Sequence, residues 1–220
     1  MKRPERWIAA LILVAGAAPV AAAQDLTQLC QTVAQLTVGQ WASYVATGGP
    51  MDGSTLRFAI VGSEQHNDST FYWFELRHTS TNDPAHDGVI QALIPGWGVA
   101  GSPRGLIMKM GTQPATRMPA QLMAAGRTAN PGSDMARHCA TSSTIGWESV
   151  TVAAGSIRAL HVKDTDGNEA WISSTVPFGL VLIKKPDGSQ MALTGRGGDA
   201  TSSITETPRD LPMIPGAPGP

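Results

Sequence analysis

The sequence predicts a mainly β (α+β) protein, built as a curved antiparallel sheet or half-open β-barrel with about two short helices on its concave side. Three features of the chain predict it. After residue 40, short apolar runs alternate with clusters of Gly, Asn, Asp and Pro, which is typical of strands and turns. Asp-Gly pairs at 166–167 and 187–188 indicate tight hairpins. Several strands are apolar on both faces, whereas only two segments have helical spacing.

The N-terminal segment has the pattern of a secretory signal peptide. Lys2 and Arg3 precede an apolar run over residues 7–18, and small residues follow at 21–23. The run is shorter than the roughly 20 residues that span a bilayer, and no second hydrophobic segment follows. We therefore expect cleavage after residue 23, no transmembrane segment in the mature chain, and a periplasmic location.

The mature chain is long enough for one domain, which we place at residues 24–206. Residues 207–220 are rich in proline, which predicts an extended or disordered tail. Without residues 1–23 the chain keeps 13 basic and 16 acidic side chains, so its net charge is about −3. That balance excludes a nucleic-acid partner.

Two segments have the apolar spacing of helices. In residues 25–38 the apolar positions recur at steps of three and four, with Asp25 as the cap and Gly39 as the stop. The shorter candidate covers residues 118–126, where Pro119 suits the first helical turn. The sequence therefore predicts two helices.

Nearly all of the remaining chain has the pattern of strands. In the stretch FYWFELRH, Phe71 and Trp73 lie on one face and Tyr72 and Phe74 on the other, so both faces need cover. We expect an antiparallel meander of about nine to eleven strands. The predicted segments are 41–46, 54–62, 71–78, 88–94, 104–111, 146–163, 169–174, 177–185, 191–195 and 202–206.

The two cysteines, Cys30 and Cys139, both lie in the exported part, where thiols are commonly oxidised. A disulfide between them closes a loop of about 110 residues and stabilises the fold by about 4 to 5 kcal/mol in the chain-entropy model. A reactive thiol pair would be expected as C-x-x-C, a spacing that the chain lacks. The sequence therefore predicts a structural disulfide.

One glycine-rich stretch matches the dinucleotide pattern G-x-G-x-x-G at Gly96, Gly98 and Gly101. That pattern binds phosphate only where a strand precedes it and a helix opens after it. Here Pro95 precedes the stretch and a loop with another strand follows. A hairpin loop with an exposed Trp97 at its tip, lying as a lid over an apolar ligand, is the better interpretation.

The remaining chemical motifs predict no catalytic residues, no metal site and no cofactor. Residues 164–169, DTDGNE, begin like a calcium loop, but the twelfth position is Thr175 instead of Glu, which favours a turn. No two histidines have H-x-H or H-x-x-x-H spacing, and neither G-x-S-x-G nor S-x-x-K occurs. Glu75 and Arg77 form either a buried ion pair or, as is commoner, surface neighbours.

Three stretches of the C-terminal half carry a family resemblance: GWESVTVAAG, AWISSTVPFGLVLIK and MALTGRGGDATSSITE. The chain resembles exported bacterial proteins of unknown function that have the patterns W-E-x-V-x-V-P-A-G and V-P-x-G-L-V-K. It departs from the pattern at Ala153, where proline is usual, and at Leu182, where lysine is usual. The matching residues are Trp147, Glu148, Val150, Val152, Ala154, Gly155, Trp171, Val176, Pro177, Gly179, Leu180 and Val181.

That group is more distantly similar to the periplasmic carriers of lipoproteins. The resemblance implies an unclosed β half-barrel, with helices on the concave side around a hydrophobic cavity. It implies a fold rather than an activity, and it brings no catalytic residues.

The surplus of apolar sheet surface predicts a non-catalytic periplasmic binding or carrier protein, whose ligand is an apolar small molecule, a lipid or the acyl chains of a lipoprotein. One alternative is an envelope module that buries its apolar face against a protein partner. A hydrolase of unrecognised type is the second alternative. The predicted lining residues are Phe58, Ile60, Tyr72, Phe74, Leu76, Leu93, Trp97, Met108, Met110, Leu122, Met123, Val181 and Ile183.

Overall fold

The computed structural model describes residues 18–99, 102–119, 123, 132, 138 and 141–211, with side chains from residue 26 onward. The elements with described bounds are one α-helix, α1 (Ala18–Val33), two short 3-10 turns (Gly49–Met51 and Pro84–His86) and twelve strands, and residues 123, 138 and 141 are also helical. The strands are β1 (Trp41–Thr47), β2 (Ser54–His66), β3 (Ser69–Ser80), β4 (Gly88–Ile94), β5 (Gly105–Met110), β6 (Thr116–Arg117), β7 (Ser143–Val152), β8 (Gly155–Lys163), β9 (Glu169–Ile172), β10 (Leu180–Lys184), β11 (Gln190–Gly197) and β12 (Arg209–Asp210).

All twelve described strands belong to one open, curved sheet. Its order is β12-β6-β5-β4-β3-β2-β1-β11-β10-β9-β8-β7, so two meanders join where β1 pairs with β11. Every neighbouring pair is antiparallel except β12 and β6, which are parallel. The predicted fold class is confirmed.

Three details of the predicted strands are wrong. The run over residues 146–163 is a hairpin, β7 and β8, because Gly155 has a φ of +109° and reverses the chain. The short strands β6 and β12 are additional. Residues 202–206 are not a strand, because Ser203 bonds through its N–H and Oγ to the Glu75 side chain and the N–H of Ile204 bonds to Ser202 Oγ within the segment, instead of to a neighbouring strand.

Helix α1 begins at Ala18, seven residues before its predicted start, and ends at Val33, before the predicted stop at Gly39. The connector after α1 cannot continue the helix because its backbone bonds to the sheet. The N–H of Gly39 donates to the carbonyl of Ile60 at 2.7 Å, and the carbonyl of Gly39 accepts from the N–H of Ala200 at 2.8 Å. Most of the predicted signal peptide lies outside the described residues.

The helix packs on the concave face of the sheet, as predicted. Its apolar side, which includes Leu29 and Val33, covers Leu160, Val162 and Ile172. Register pairs run from Val162 through β9, β10 and β11 to β1, and directly paired residues share a face of the sheet. The helix therefore lies on the same face as the aromatic side chains of β1 to β3.

Gly179, a glycine of the V-P-x-G-L-V-K pattern, lies where helix α1 meets the sheet. A β-carbon at this position would lie 2.7 Å from Val33 Cγ1, and the φ of Gly179 is +81°. Both the space and the backbone conformation therefore require glycine.

The predicted disulfide and the second predicted helix fall partly outside the described residues. Cys30 is half-buried beside α1's apolar contacts and is not a free thiol, whereas Cys139 is not described, so their pairing stays a prediction. In the second helix, the N–H of Met123 donates to the carbonyl of Pro119 at 3.2 Å, which is the spacing of a helical turn.

A C-terminal segment, residues 199–211, crosses the convex face and is called the strap. Ile204 is buried against Val89, Ile107 and Ala115, with Trp73 packed beside them. The strap ends in β12, which pairs with β6, so the chain is paired to the sheet beyond the predicted start of the disordered tail at residue 207. The second apolar face of β3 is thus covered by the protein itself.

The strap is held by two carboxylates whose pKa values are lowered. The Asp199 carboxylate accepts a hydrogen bond from Trp41 Nε1 at 2.7 Å, which lowers the pKa of Asp199. The Lys109 ammonium lies 2.7 Å from Glu206 Oε1 and is the main cause that lowers the pKa of Glu206 from its ordinary value of 4.5 to about 2. Their stabilising effect is therefore present above the ordinary pKa and is lost as the pH falls through the lowered values.

We expect the melting temperature of the protein to fall as the pH decreases from 4.5 towards about 2. Glu206→Gln should lower the melting temperature at neutral pH and flatten this acid limb, because its side chain cannot titrate. Thermal unfolding followed by circular dichroism at a series of pH values measures both effects. Asp68→Asn, in the exposed turn between β2 and β3, is the control, and an acid limb unchanged in Glu206→Gln would contradict the assignment.

Candidate functional site

Five aromatic side chains form a cluster on the concave face. Tyr44, Phe58 and Phe74 come from β1, β2 and β3, whereas Trp97 and Phe178 come from the β4–β5 and β9–β10 loops. Ring centroids of contacting pairs lie 4.9 to 6.4 Å apart, in the tilted and edge-on geometries that aromatic pairs prefer. The two loops thus pack against the sheet, and we call the five side chains together the aromatic floor.

Trp97 does not have the predicted exposed position of a lid. It is 5% exposed, because the β4–β5 loop turns inward and packs the indole against Phe74 and Phe178 at tilted angles. Its Nε1 is buried and has no hydrogen-bond acceptor in the part of the chain that the structure describes. The cluster therefore contains one buried N–H donor, Trp97 Nε1, that lacks a hydrogen-bond acceptor among the described residues.

A row of half-buried apolar side chains lies beside the aromatic floor. Phe58, Leu76, Ile90 and Met108 are direct neighbours across β2, β3, β4 and β5, so they point to the same face. We call these four residues the concave row. All four side chains are partly exposed.

The predicted lining residues divide into several environments. Leu93 pairs with Trp73 and therefore lies on the convex face, and Leu122 is outside the described residues. Ile60, Phe74, Leu93, Trp97, Met123 and Val181 are buried; Phe58, Tyr72, Leu76, Met108 and Ile183 are half-buried; Met110 is exposed. Whether these side chains bind a ligand stays a prediction.

Sequence reasoning missed Ile90 as a member of the row. The residue lies in a strand that is apolar on both faces, so the alternation of β4 does not indicate which side chains point inward. Its direct pairing with Leu76 shows that Ile90 lies on the concave face, and this pairing is known only from the strand register.

A polar cluster occupies the opposite end of the sheet. His161 stacks on Trp171 with ring centroids 4.1 Å apart, and its Nδ1 and Nε2 lie 3.1 and 3.4 Å from carboxylate oxygens of Glu148 and Glu169. A hydrogen bond from Lys163 is the main cause that lowers the pKa of Glu169. The imidazole therefore lies between two carboxylates, but its buried Nε2 makes no hydrogen bond to a described residue, and its described contacts include no hydroxyl or thiol nucleophile.

The acidic loop after β8 is organised as a turn. Asp164 accepts hydrogen bonds from the backbone N–H groups of Asp166 and Asn168 and from Asn168 Nδ2, at 2.8 to 2.9 Å. The bond from the Asn168 side chain is the main cause that lowers the pKa of Asp164. This carboxylate stabilises a local turn, as the sequence predicts.

Among the described residues, no helix has both the length and the hydropathy needed to cross a membrane.

Comparisons with known proteins add distant structural neighbours. No family model matches the chain, and no curated protein matches it. An inferred lipoprotein of Parabacteroides distasonis ATCC 8503 is 12% identical at a TM-score of 0.39, over 75% of this chain and 98% of that one. An inferred exported protein with a YmcC-like fold from Bacteroides fragilis NCTC 9343 is 10% identical at a TM-score of 0.38, over 73% and 96%.

A third solved structure is MucB in complex with MucA(peri). It is 13% identical at a TM-score of 0.35 and covers 85% of this chain, which spans 59% of the MucB chain. At such low identities and TM-scores, these neighbours support no conclusion about what this chain binds.

Proposed function

We propose that the protein is a non-catalytic exported binding protein that holds an apolar chain, such as the acyl chain of a lipid or lipoprotein, along the concave row. The observation that carries the proposal is the row itself, four apolar side chains from four adjacent strands that are only partly buried on a curved face. Isolated exposed apolar residues are ordinary, whereas a continuous set on a concave surface favours a binding site.

The walls around the row suit an apolar ligand of variable shape. Met108 lies within it, and Met118 packs against the same core, so flexible thioethers line one side. The aromatic floor below is rigid, and the buried Nε1 of Trp97 offers a hydrogen bond to a ligand oxygen. A ligand with an apolar chain and a single polar group satisfies both features.

Area bookkeeping gives the order of affinity expected for a ligand on the row. A ligand that covers about 300 Å² of apolar surface gains roughly 7 kcal/mol at about 25 cal/mol per Å², before ordering costs are subtracted. This range corresponds to micromolar or weaker binding, which suits a carrier that must also release its ligand.

We expect Met108→Lys to weaken binding of the fluorescent fatty acid cis-parinaric acid by about ten-fold or more, because it places a charge in the centre of the row. A fluorescence titration measures the dissociation constant. Met51→Lys is the matched control, since Met51 is 41% exposed in a turn away from the row. Equal dissociation constants in the two variants, at equal melting temperatures, would contradict the proposal.

A second candidate is an interaction module that binds a protein partner through β7. This strand ends the sheet, and its Ile145 and Trp147 are 56% and 40% exposed. Exposed edge strands are common sites of strand addition. Native mass spectrometry of protein purified from a periplasm separates the candidates: retained lipid supports the carrier, whereas a lipid-free homodimer supports the β7 interface.

A further inference from the structure

An open groove of about 490 Å³ lies on the other side of the sheet from the concave row. It is bordered by the ends of β3 and β5, the 3-10 turn Pro84–His86 and the strap. The polar side chains that line it are Arg77, His78, Thr79, Asp87, Lys109, Thr112 and Ser203.

The groove is next to an unusual row of positive charges. Arg57 and Arg77 are directly opposite on β2 and β3, and Arg77 is in line with Lys109 of β5 through Val89 of β4. Like charges that face each other across strands destabilise a sheet. The chain as a whole has a formal net charge of −1, so this concentration of positive charge is local.

The three cationic side chains differ in the partners that the protein provides for them. Arg57 stacks over the Trp41 ring at 4.8 Å, and Lys109 pairs with Glu206 while keeping further N–H donors. The Arg77 side chain is exposed in the groove, and its guanidinium forms no hydrogen bond or ion pair with any described residue. A guanidinium with all of its donors open, in a groove with a second cation, favours an anionic ligand.

The carboxylates near the groove have hydrogen-bond partners other than Arg77. Glu75 lies behind its wall and accepts hydrogen bonds from Ser203, and Asp87 Oδ1 accepts one from the N–H of Ser80 at 2.7 Å. His78 is held in place, with its ring nitrogens 3.1 Å from the carbonyl of His86 and from Ser54 Oγ. None of these groups neutralises Arg77.

We propose that this groove binds a phosphate group, held by Arg77 and Lys109 with the hydroxyls of Thr79 and Thr112 as further donors. A phosphate presents several acceptor oxygens in a tetrahedral arrangement, so it can meet side chains that come from β3, β5 and the loop after β5 together. A carboxylate has only two oxygens and matches a single arginine better. The ligand is either free phosphate or a phospholipid headgroup.

Isothermal titration with inorganic phosphate tests the site. We expect saturable binding to the wild-type protein and a dissociation constant raised about ten-fold or more in Arg77→Gln. Lys185→Gln, which removes one positive charge in the hairpin between β10 and β11, is the matched control and should bind as the wild type does. Absence of binding, or equal binding by Arg77→Gln, would overturn the proposal.

Thermal unfolding keeps this test independent of a folding defect. Because Arg77→Gln relieves the repulsion with Arg57, its melting temperature should equal or exceed that of the wild type. Phosphate should raise the melting temperature of the wild type and leave that of Arg77→Gln unchanged. An equal rise in both proteins would mean that phosphate acts elsewhere.

Vesicles distinguish the two sources of phosphate. Binding to phosphatidylglycerol vesicles that requires Arg77 and is competed by inorganic phosphate assigns a lipid headgroup. Titration by phosphate without vesicle binding assigns the free anion. Fatty-acid binding by Met108→Lys is a separate readout, so failure of the concave row and failure of the phosphate groove are distinguishable.

Discussion

Glu75→Ala is expected to lower the free energy of unfolding by about 3 to 5 kcal/mol. The side chain is fully buried, and its carboxylate accepts hydrogen bonds from Gln91 Nε2 at 2.7 Å and from the N–H and Oγ of Ser203 at 2.9 and 2.6 Å. Truncation leaves buried donors without their acceptor and a cavity beneath the strap. Urea denaturation measures the loss, and limited proteolysis should show earlier cleavage within residues 199–211.

Glu64→Ala is the matched control for this prediction. Glu64 also accepts two hydrogen bonds, from Trp73 Nε1 at 2.8 Å and from His66 at 3.1 Å, but it is exposed to water. Its loss should therefore cost less than about 1 kcal/mol. If both variants lose the same amount, burial of Glu75 is not what makes the strap contact strong.

Replacement of Phe178 should have an effect of similar size. The side chain is 1% exposed, and its ring contacts those of Phe58, Phe74 and Trp97. Phe178→Ala is expected to destabilise the protein by about 3 to 5 kcal/mol, because it removes a loop's anchor and leaves a cavity in the aromatic floor. Equilibrium denaturation followed by tryptophan fluorescence measures the change and also reports the packing of Trp97.

The backbone at Phe178 allows a sharper comparison. Its φ is +63°, a left-handed conformation that side chains with a β-carbon rarely adopt and that costs about 1 to 3 kcal/mol. Glycine relieves this strain, so Phe178→Gly should be at least as stable as Phe178→Ala, the reverse of the usual order. A glycine variant clearly less stable than the alanine variant would show that the backbone is not strained there.

The local patterns of the chain predicted most of the sheet. β4 begins and ends at the predicted residues, and β1, β3 and β5 contain or closely match their predicted segments, because alternating apolar residues between turn residues form a local signal. The hairpin β7–β8 was predicted as one run, since Ala153 and Ala154 carry no turn chemistry of their own. Only the φ of Gly155 shows where the chain reverses.

The interpretation of Glu75 illustrates what local patterns do not contain. Sequence reasoning weighed Glu75 against Arg77, its nearest opposite charge along the strand. The structure instead places Glu75 against Ser203 and leaves Arg77 exposed in the groove. Glu75 and Ser203 are 128 residues apart in the chain, so no sequence spacing could have predicted their contact.

The position of the strap also could not be predicted from local patterns, and it changes how much apolar sheet surface needs cover. Ile204 alternates with polar residues, which is why residues 202–206 resemble a strand. The segment crosses the sheet instead and buries Ile204 against β4 and β5. Much of the convex apolar surface attributed to a ligand or partner is therefore covered by the chain's own C-terminal segment.

By itself the sequence determined a mainly antiparallel β-sheet with several strands that are apolar on both faces, because the alternation of side chains within a strand is a local property. Only the tertiary structure decided which apolar residues stay half-exposed, where the strap lies, and that Arg57, Arg77 and Lys109 share a row. Those arrangements depend on strand order and register, and both are set by contacts between residues far apart in the chain.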